Sequence, residues 1–127
     1  MDSQKKKNVK SISQTINQET GRSGENMAVN YMVSLGFRVL HQNYRYRRGE
    51  IDLIVEKNGL LVFVEVKYRK GIQYGYPEEF VSPNQQQSII QTADQYIHEN
   101  NWQGNIRFDI IAINGDMEVK HFEDAFY

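Results

Sequence analysis

Among its 127 residues the chain has no cysteine. Disulfides, thiolate zinc sites and a thiol nucleophile are therefore excluded. Its three histidines, His41, His98 and His121, are far apart and form no i, i+4 pair, which argues against a histidine-based zinc site. No run of about 18 apolar residues occurs, so no membrane partner is expected. The lysines of "MDSQKKKNVKSISQ" are followed by no apolar segment, so this is not a secretory signal, and a cytoplasmic protein is expected. Phosphate-binding, dinucleotide-binding and G-x-S-x-G fingerprints are missing as well.

Charge of one sign is scarce in each half. Residues 1–70 hold 13 Lys/Arg against 7 Asp/Glu, and residues 71–127 hold 2 against 9. The net charge of −1 thus conceals halves of about +6 and −7. Such a split suits a basic face directed at phosphates, or two halves that attract each other.

Residues 1–19 are polar, rich in Lys, Ser and Gln and without periodicity, and are expected to form a mobile basic tail. A single domain is expected over residues 20–127. Ala28, Tyr31, Met32 and Leu35 predict a helix over about residues 22–35, ended by Gly36. "FRVLHQNYRYR" reads as a strand running into a basic, aromatic turn. "EIDLIVE" and "LLVFVEVKYR" are two strands joined by a turn at Asn58-Gly59. "KGIQYGYPEE" is punctuated as a loop, and Ser82-Pro83 opens a second helix reaching about residue 99. "NIRFDIIAIN" is a further strand and "EVKHFEDAFY" an edge strand with an irregular end. The fold class is α/β, with a mixed β-sheet flanked by helices.

The apolar stretch "RRGEIDLIVEKNGLLVFVEVKYRK" carries Asp52, Glu65 and Lys67 where core strands want Val and Ile. With a two-residue turn at Asn58-Gly59, facing residues have numbers that sum to 117. Asp52 then faces Glu65, and Glu50 faces Lys67 as a salt-bridge partner. Facing Cβ atoms lie about 5 Å apart. At an effective dielectric of about 20, two carboxylates there repel by roughly 3 kcal/mol. Mg²⁺ or Mn²⁺ bound between them would remove that repulsion; a shared proton or a bridging lysine would do so structurally. Glu25 lies on the buried stripe of the first helix. It either completes the cluster or answers the helix dipole.

The motifs G-x-x-G-E-x-x-A (residues 21–28), G-E-I-D-L-I (49–54), V-F-V-E-V-K-x-R (62–69), "YGYPEEFVS" and R-F-D (107–109) together resemble the bacterial YraN family. That group is regarded as related to the PD-(D/E)xK nucleases. The resemblance covers residues 21–127 and implies a restriction endonuclease-like core of order αβββαβ, close to Holliday-junction resolvases. It implies a metal-dependent, structure-selective nuclease that hydrolyses DNA phosphodiesters, more readily branched DNA than RNA, and it allows a homodimer. A non-catalytic nucleic-acid-binding module on the same fold is the alternative.

Carried over by residue, Asp52 is the signature aspartate, with Ile51 where the signature has proline, and Glu65 and Lys67 form the E-x-K. Glu25 matches a helix-borne glutamate that assists the metal. The resemblance thus implies Asp52, Glu65 and Glu25 as ligands of Mg²⁺ (or Mn²⁺), and Lys67 as the residue that positions or activates water. Gln85 stands where relatives often carry lysine. Gln86 follows on the apolar face and is expected to point at the cluster. Arg45, Arg47, Arg48, Tyr46, Arg69 and Lys70, with Gln85, are the expected nucleic-acid contacts. The alternative for that group is a solvated basic rim. Asp109 is expected to be structural, held by an arginine or by Lys67.

Overall fold

The computed structural model describes residues 24–68 and 81–127. The expected tail at residues 1–19, and Arg69 and Lys70, lie outside the described residues. Helix α1 covers residues 24–34. Strands β1 (Arg38–Tyr46), β2 (Gly49–Lys57) and β3 (Leu60–Tyr68) follow. Helix α2 (Pro83–Glu99) and strands β4 (Asn105–Ile113) and β5 (Val119–Phe122) complete the order. Five strands form one mixed sheet in the order β1-β2-β3-β4-β5. Every neighbouring pair is antiparallel except β3 and β4, which are parallel.

Local chemistry explains the element ends. Gly36 takes φ 97°. Its N–H donates to the Val33 carbonyl and that of Phe37 to the Met32 carbonyl, a pattern that ends a helix and that glycine adopts without a Cβ penalty. Leu35, expected on the buried stripe of α1, is instead 38% exposed, because the stripe ends at Met32 and the chain turns at Gly36. At the start of α2 the Ser82 hydroxyl accepts the Gln85 N–H, and Pro83 fills the first helical position. Asn58 and Gly59 take φ 51° and 81°, as a tight hairpin turn requires.

The sheet is covered on both faces. Ile54, Leu61, Phe63, Phe108 and Ile110 pack with Val81, Ile89, Ala93 and Tyr96 on the α2 side. Leu53, Val55, Val62, Val64, Ile111 and Ile113 pack with Ala28 and Met32 on the α1 side. Alternation along β3 assigns Glu65 and Lys67 to the α2 face, in line with Leu61 and Phe63. Alternation along β4 assigns Arg107 and Asp109 to the α1 face. Helix α2 comes close to the sheet at Gly49, where an added Cβ would strike the Thr92 hydroxyl and crowd Ser88.

Candidate functional site

The sum-117 register holds for five pairs, from Lys57↔Leu60 to Leu53↔Val64. The ladder between β2 and β3 then ends, one step short of the expected pairing of Asp52 with Glu65. Asp52 itself fills the gap: its carboxylate accepts the main-chain N–H of Val66 at 2.8 Å. On the other side, Asn43 and Asp52 stand between the pairs Gln42↔Leu53 and Tyr44↔Ile51, and Asn43 is in the left-handed region at φ 55°. Alternation breaks here. Ile51 and Leu53, which a regular strand would send to one face, belong to the cores on opposite faces. This local distortion aims Asp52 at β3 instead of at either core.

Glu65 is a buried charge, 8% exposed. Lys67 Nζ lies 3.3 Å from its carboxylate, and the Gln85 side-chain amide donates to it at 3.1 Å. The Gln85 carbonyl in turn accepts from Lys67 at 3.4 Å. Burial pushes the Glu65 carboxyl up to about 7; the neighbouring Asp52 adds to the rise, while Lys67 opposes it. Burial pushes Asp52 up to about 6, against the Val66 N–H, with Glu25 and Glu50 adding to the rise. Each carboxylate thus stands in an environment that favours its protonated form, and the nearness of Asp52 makes Glu65 harder to ionise.

Two expectations change. Glu50 pairs with Arg45 on β1 at 3.6 Å instead of with Lys67, because β2 has left the β3 ladder before reaching it. Gln86 does not reach the cluster; its amide donates to the Val81 carbonyl at 3.1 Å. The face of α2 that meets β2 is the one bearing Ser88 and Thr92, and Gln85 lies on that side while Gln86 is rotated by about 100°. Glu25 is half-buried on α1 and is felt electrostatically by Asp52. Even so, no group of three or more acidic or histidine side chains among the described residues is arranged to hold a metal.

Of the basic candidates, Arg45, Arg47 and Arg48 are exposed around the β1–β2 turn. The Arg47 guanidinium lies 5.1 Å from the centre of the Tyr46 ring. Arg38–Glu56, Arg45–Glu50 and Lys67–Glu65 join partners within the basic half, and Arg107–Asp109 and Arg107–Glu123 within the acidic half. Asp109 is structural. It takes two hydrogen bonds from Arg107, both at 2.8 Å. It also accepts from His121 Nε2 at 2.7 Å, and the Tyr31 hydroxyl lies 3.1 Å from His121 Nδ1.

Two features had no reading in the sequence: the distortion at Asn43 and the close approach of Ser88 and Thr92 to Gly49. The second left a legible trace, two small polar residues four apart on the helix.

The residues that build this site fall within a stretch with many relatives. The model of Uncharacterised protein family UPF0102 matches residues 24–113. The UPF0102 protein of Cytophaga hutchinsonii is 43% identical over 107 residues, covering 84% of this chain and 95% of its own. That of Sulfurihydrogenibium sp. is 44% identical over 109 residues, 85% of this chain and 94% of its own. That of Clostridioides difficile is 43% identical over 112 residues, 87% and 98% respectively. No helix of the described residues is long and apolar enough to cross a membrane. With a family model spanning both carboxylate strands, α2 and β4, and relatives matched over nearly their whole length, the chain belongs to the UPF0102 family, the group that its motifs resemble under the name YraN.

Proposed function

We propose that this chain is a divalent-metal-dependent phosphodiester hydrolase acting on DNA, with a restriction endonuclease-like core and a preference for branched or frayed substrates. The observation that carries this reading is the Asp52–Glu65 pair. Two carboxylates sit buried side by side in a strand distortion, with Lys67 on one of them. Asp52 satisfies the Val66 N–H, but a neutral asparagine would do that as well, so the sheet does not call for a second carboxylate beside Glu65. The order of helix, three antiparallel strands, helix and parallel strand supports the core assignment.

The donors suit a hard cation. Two carboxylates and a main-chain carbonyl are oxygen ligands, and Mg²⁺ characteristically takes one or two carboxylates, completing its shell with water and substrate phosphate. A third acidic ligand is therefore not needed. Asp52, Glu65 and the Val66 carbonyl would hold Mg²⁺ or Mn²⁺, which when bound polarises the phosphodiester and lowers the pKa of its water. The protein's own contribution is positional. The Val66 N–H fixes Asp52, and Gln85 fixes both Glu65 and Lys67. Lys67 presents a positive charge to the phosphate and to the attacking water.

One observation favours a second reading, a binding module without turnover. Gln85 is neutral at the position where the family resemblance implies a lysine, and it hydrogen-bonds both Glu65 and Lys67. Linear, flapped, single-stranded and four-way DNA incubated with Mn²⁺, beside Lys67→Ala, decides between the two. Cleavage that needs the ion and falls about a hundredfold or more in Lys67→Ala, with binding kept, is the expected result. Salt-sensitive binding without cleavage of any substrate would establish the binding module instead.

A further inference from the structure

Beside the carboxylate pair lies a separate cavity of about 290 Å³ between the β1–β2 turn and α2. Gly49 closes its inner end against Ser88 and Thr92. Tyr46, Arg47 and Arg48 form one wall, and Gln91 faces them from α2. The turn is held tightly, with Arg47 at φ 57° and its guanidinium over the Tyr46 ring. Whereas Arg45 is engaged by Glu50, the two arginines of the turn line the cavity, and no carboxylate among the described residues does so.

Position ties this cavity to the site. Gly49 is three residues before Asp52 on β2, roughly 10 Å along the strand. Ser88 is one turn beyond Gln85, whose amide reaches Glu65. Size and lining then limit what fits. The volume equals roughly ten waters, several times a lone phosphate and too little for a base pair. Two cations suit a phosphate, an aromatic face suits a base, and the Gln91 amide offers a donor and an acceptor side by side to a base edge.

We infer that the cavity receives one unpaired nucleotide of the strand that runs past the carboxylate pair. Its phosphate lies against Arg47 and Arg48, and its base lies along Tyr46 within reach of Gln91. The course of the strand rests on the hydrolase reading; the cavity's chemistry does not. A base in the cavity has left its duplex, so the substrate is a flap, a junction or a single strand.

The test uses the ¹⁵N-labelled full chain in EDTA, titrated separately with dAMP, deoxyadenosine and inorganic phosphate. dAMP is expected to shift the amides of Gly49, Ser88, Gln91 and Thr92 and to bind more tightly than either fragment. Arg48→Gln and Gln91→Leu, both at exposed positions, each weaken dAMP about tenfold. Arg38→Gln, at the far end of β1, leaves dAMP binding unchanged. Phosphate binding as tightly as dAMP, or shifts confined to Asp52, Glu65 and Lys67, would overturn the inference even if the protein cleaves DNA. The expected shifts in a chain that cleaves nothing would sustain the cavity and overturn the hydrolase.

Discussion

Asp52 accepts the main-chain N–H of Val66 at 2.8 Å, across the point where β2 and β3 stop pairing. One side chain thus satisfies a buried donor beyond the end of the ladder and stands against Glu65. The two tasks separate by substitution. Asp52→Asn keeps an acceptor for Val66 and removes the like charge, whereas Asp52→Ala leaves the N–H without a partner. Urea denaturation at pH 8 in EDTA is expected to find Asp52→Asn at least as stable as the parent chain. Asp52→Ala is expected to be about 1–3 kcal/mol less stable than Asp52→Asn. Neither should cleave DNA.

The carboxylate pair also sets a pH dependence. Unfolded Asp and Glu lose their protons near pH 4. In the folded chain burial holds Asp52 up to about 6 and Glu65 up to about 7. Between those limits the folded state binds more protons, so its stability falls as pH rises from about 4 through about 7. Melting temperature measured in EDTA should drop across that window, and Mg²⁺ should restore it at the upper end. Asp109 acts in the opposite sense. Burial would raise its pKa, but His121 and Arg107 outweigh burial and hold it below the usual range. Its contribution is lost only in more acidic solution.

Asp109 is fully buried and Arg107 keeps 21% of its side chain exposed. Asp109→Ala leaves the guanidinium, His121 and the Asp124 N–H without their acceptor. Breaking such a pair costs about 3 kcal/mol, the lower end of the range because Arg107 retains some water. Equilibrium denaturation checks this. Because Asp109 points to the α1 face, the folded fraction should keep the DNA affinity of the parent chain.

Gly49→Ala places a methyl group on the Thr92 hydroxyl. Overpacking of this kind costs about 1–3 kcal/mol. Thr92→Ala removes the obstructing oxygen, so the double variant should be more stable than the sum of the two single effects. A double-mutant cycle with additive energies would show that α2 does not bear on β2 at this point.

The helices, the hairpin and its register were legible because each rests on local chemistry: Gly36, Ser82-Pro83, Asn58-Gly59 and period-two apolar runs. The nearness of Asp52 to Glu65 was expected from the same register, although the ladder stops one pair short of them. What escaped was nonlocal. The break in alternation at Asp52 depends on Asn43, a residue of another strand. The choice of Gln85 over Gln86 depends on how α2 rolls against Gly49. A helical stripe gives an average direction, and two adjacent glutamines half a face apart cannot be separated by it. Glu50 illustrates the same limit, since its partner changed once the ladder ended.

The placing of Gln85 on α2 has a kinetic corollary. Asp52 and Glu65 are thirteen residues apart and meet through a tight turn, a contact that closes early. Gln85, twenty residues beyond Glu65, reaches it only after α2 has packed on the sheet. A chain still emerging from the ribosome therefore holds its acidic pair open to water, without the amide that locks Glu65 to Lys67. A chain cut before α2 would lack that amide and keep its acidic pair exposed.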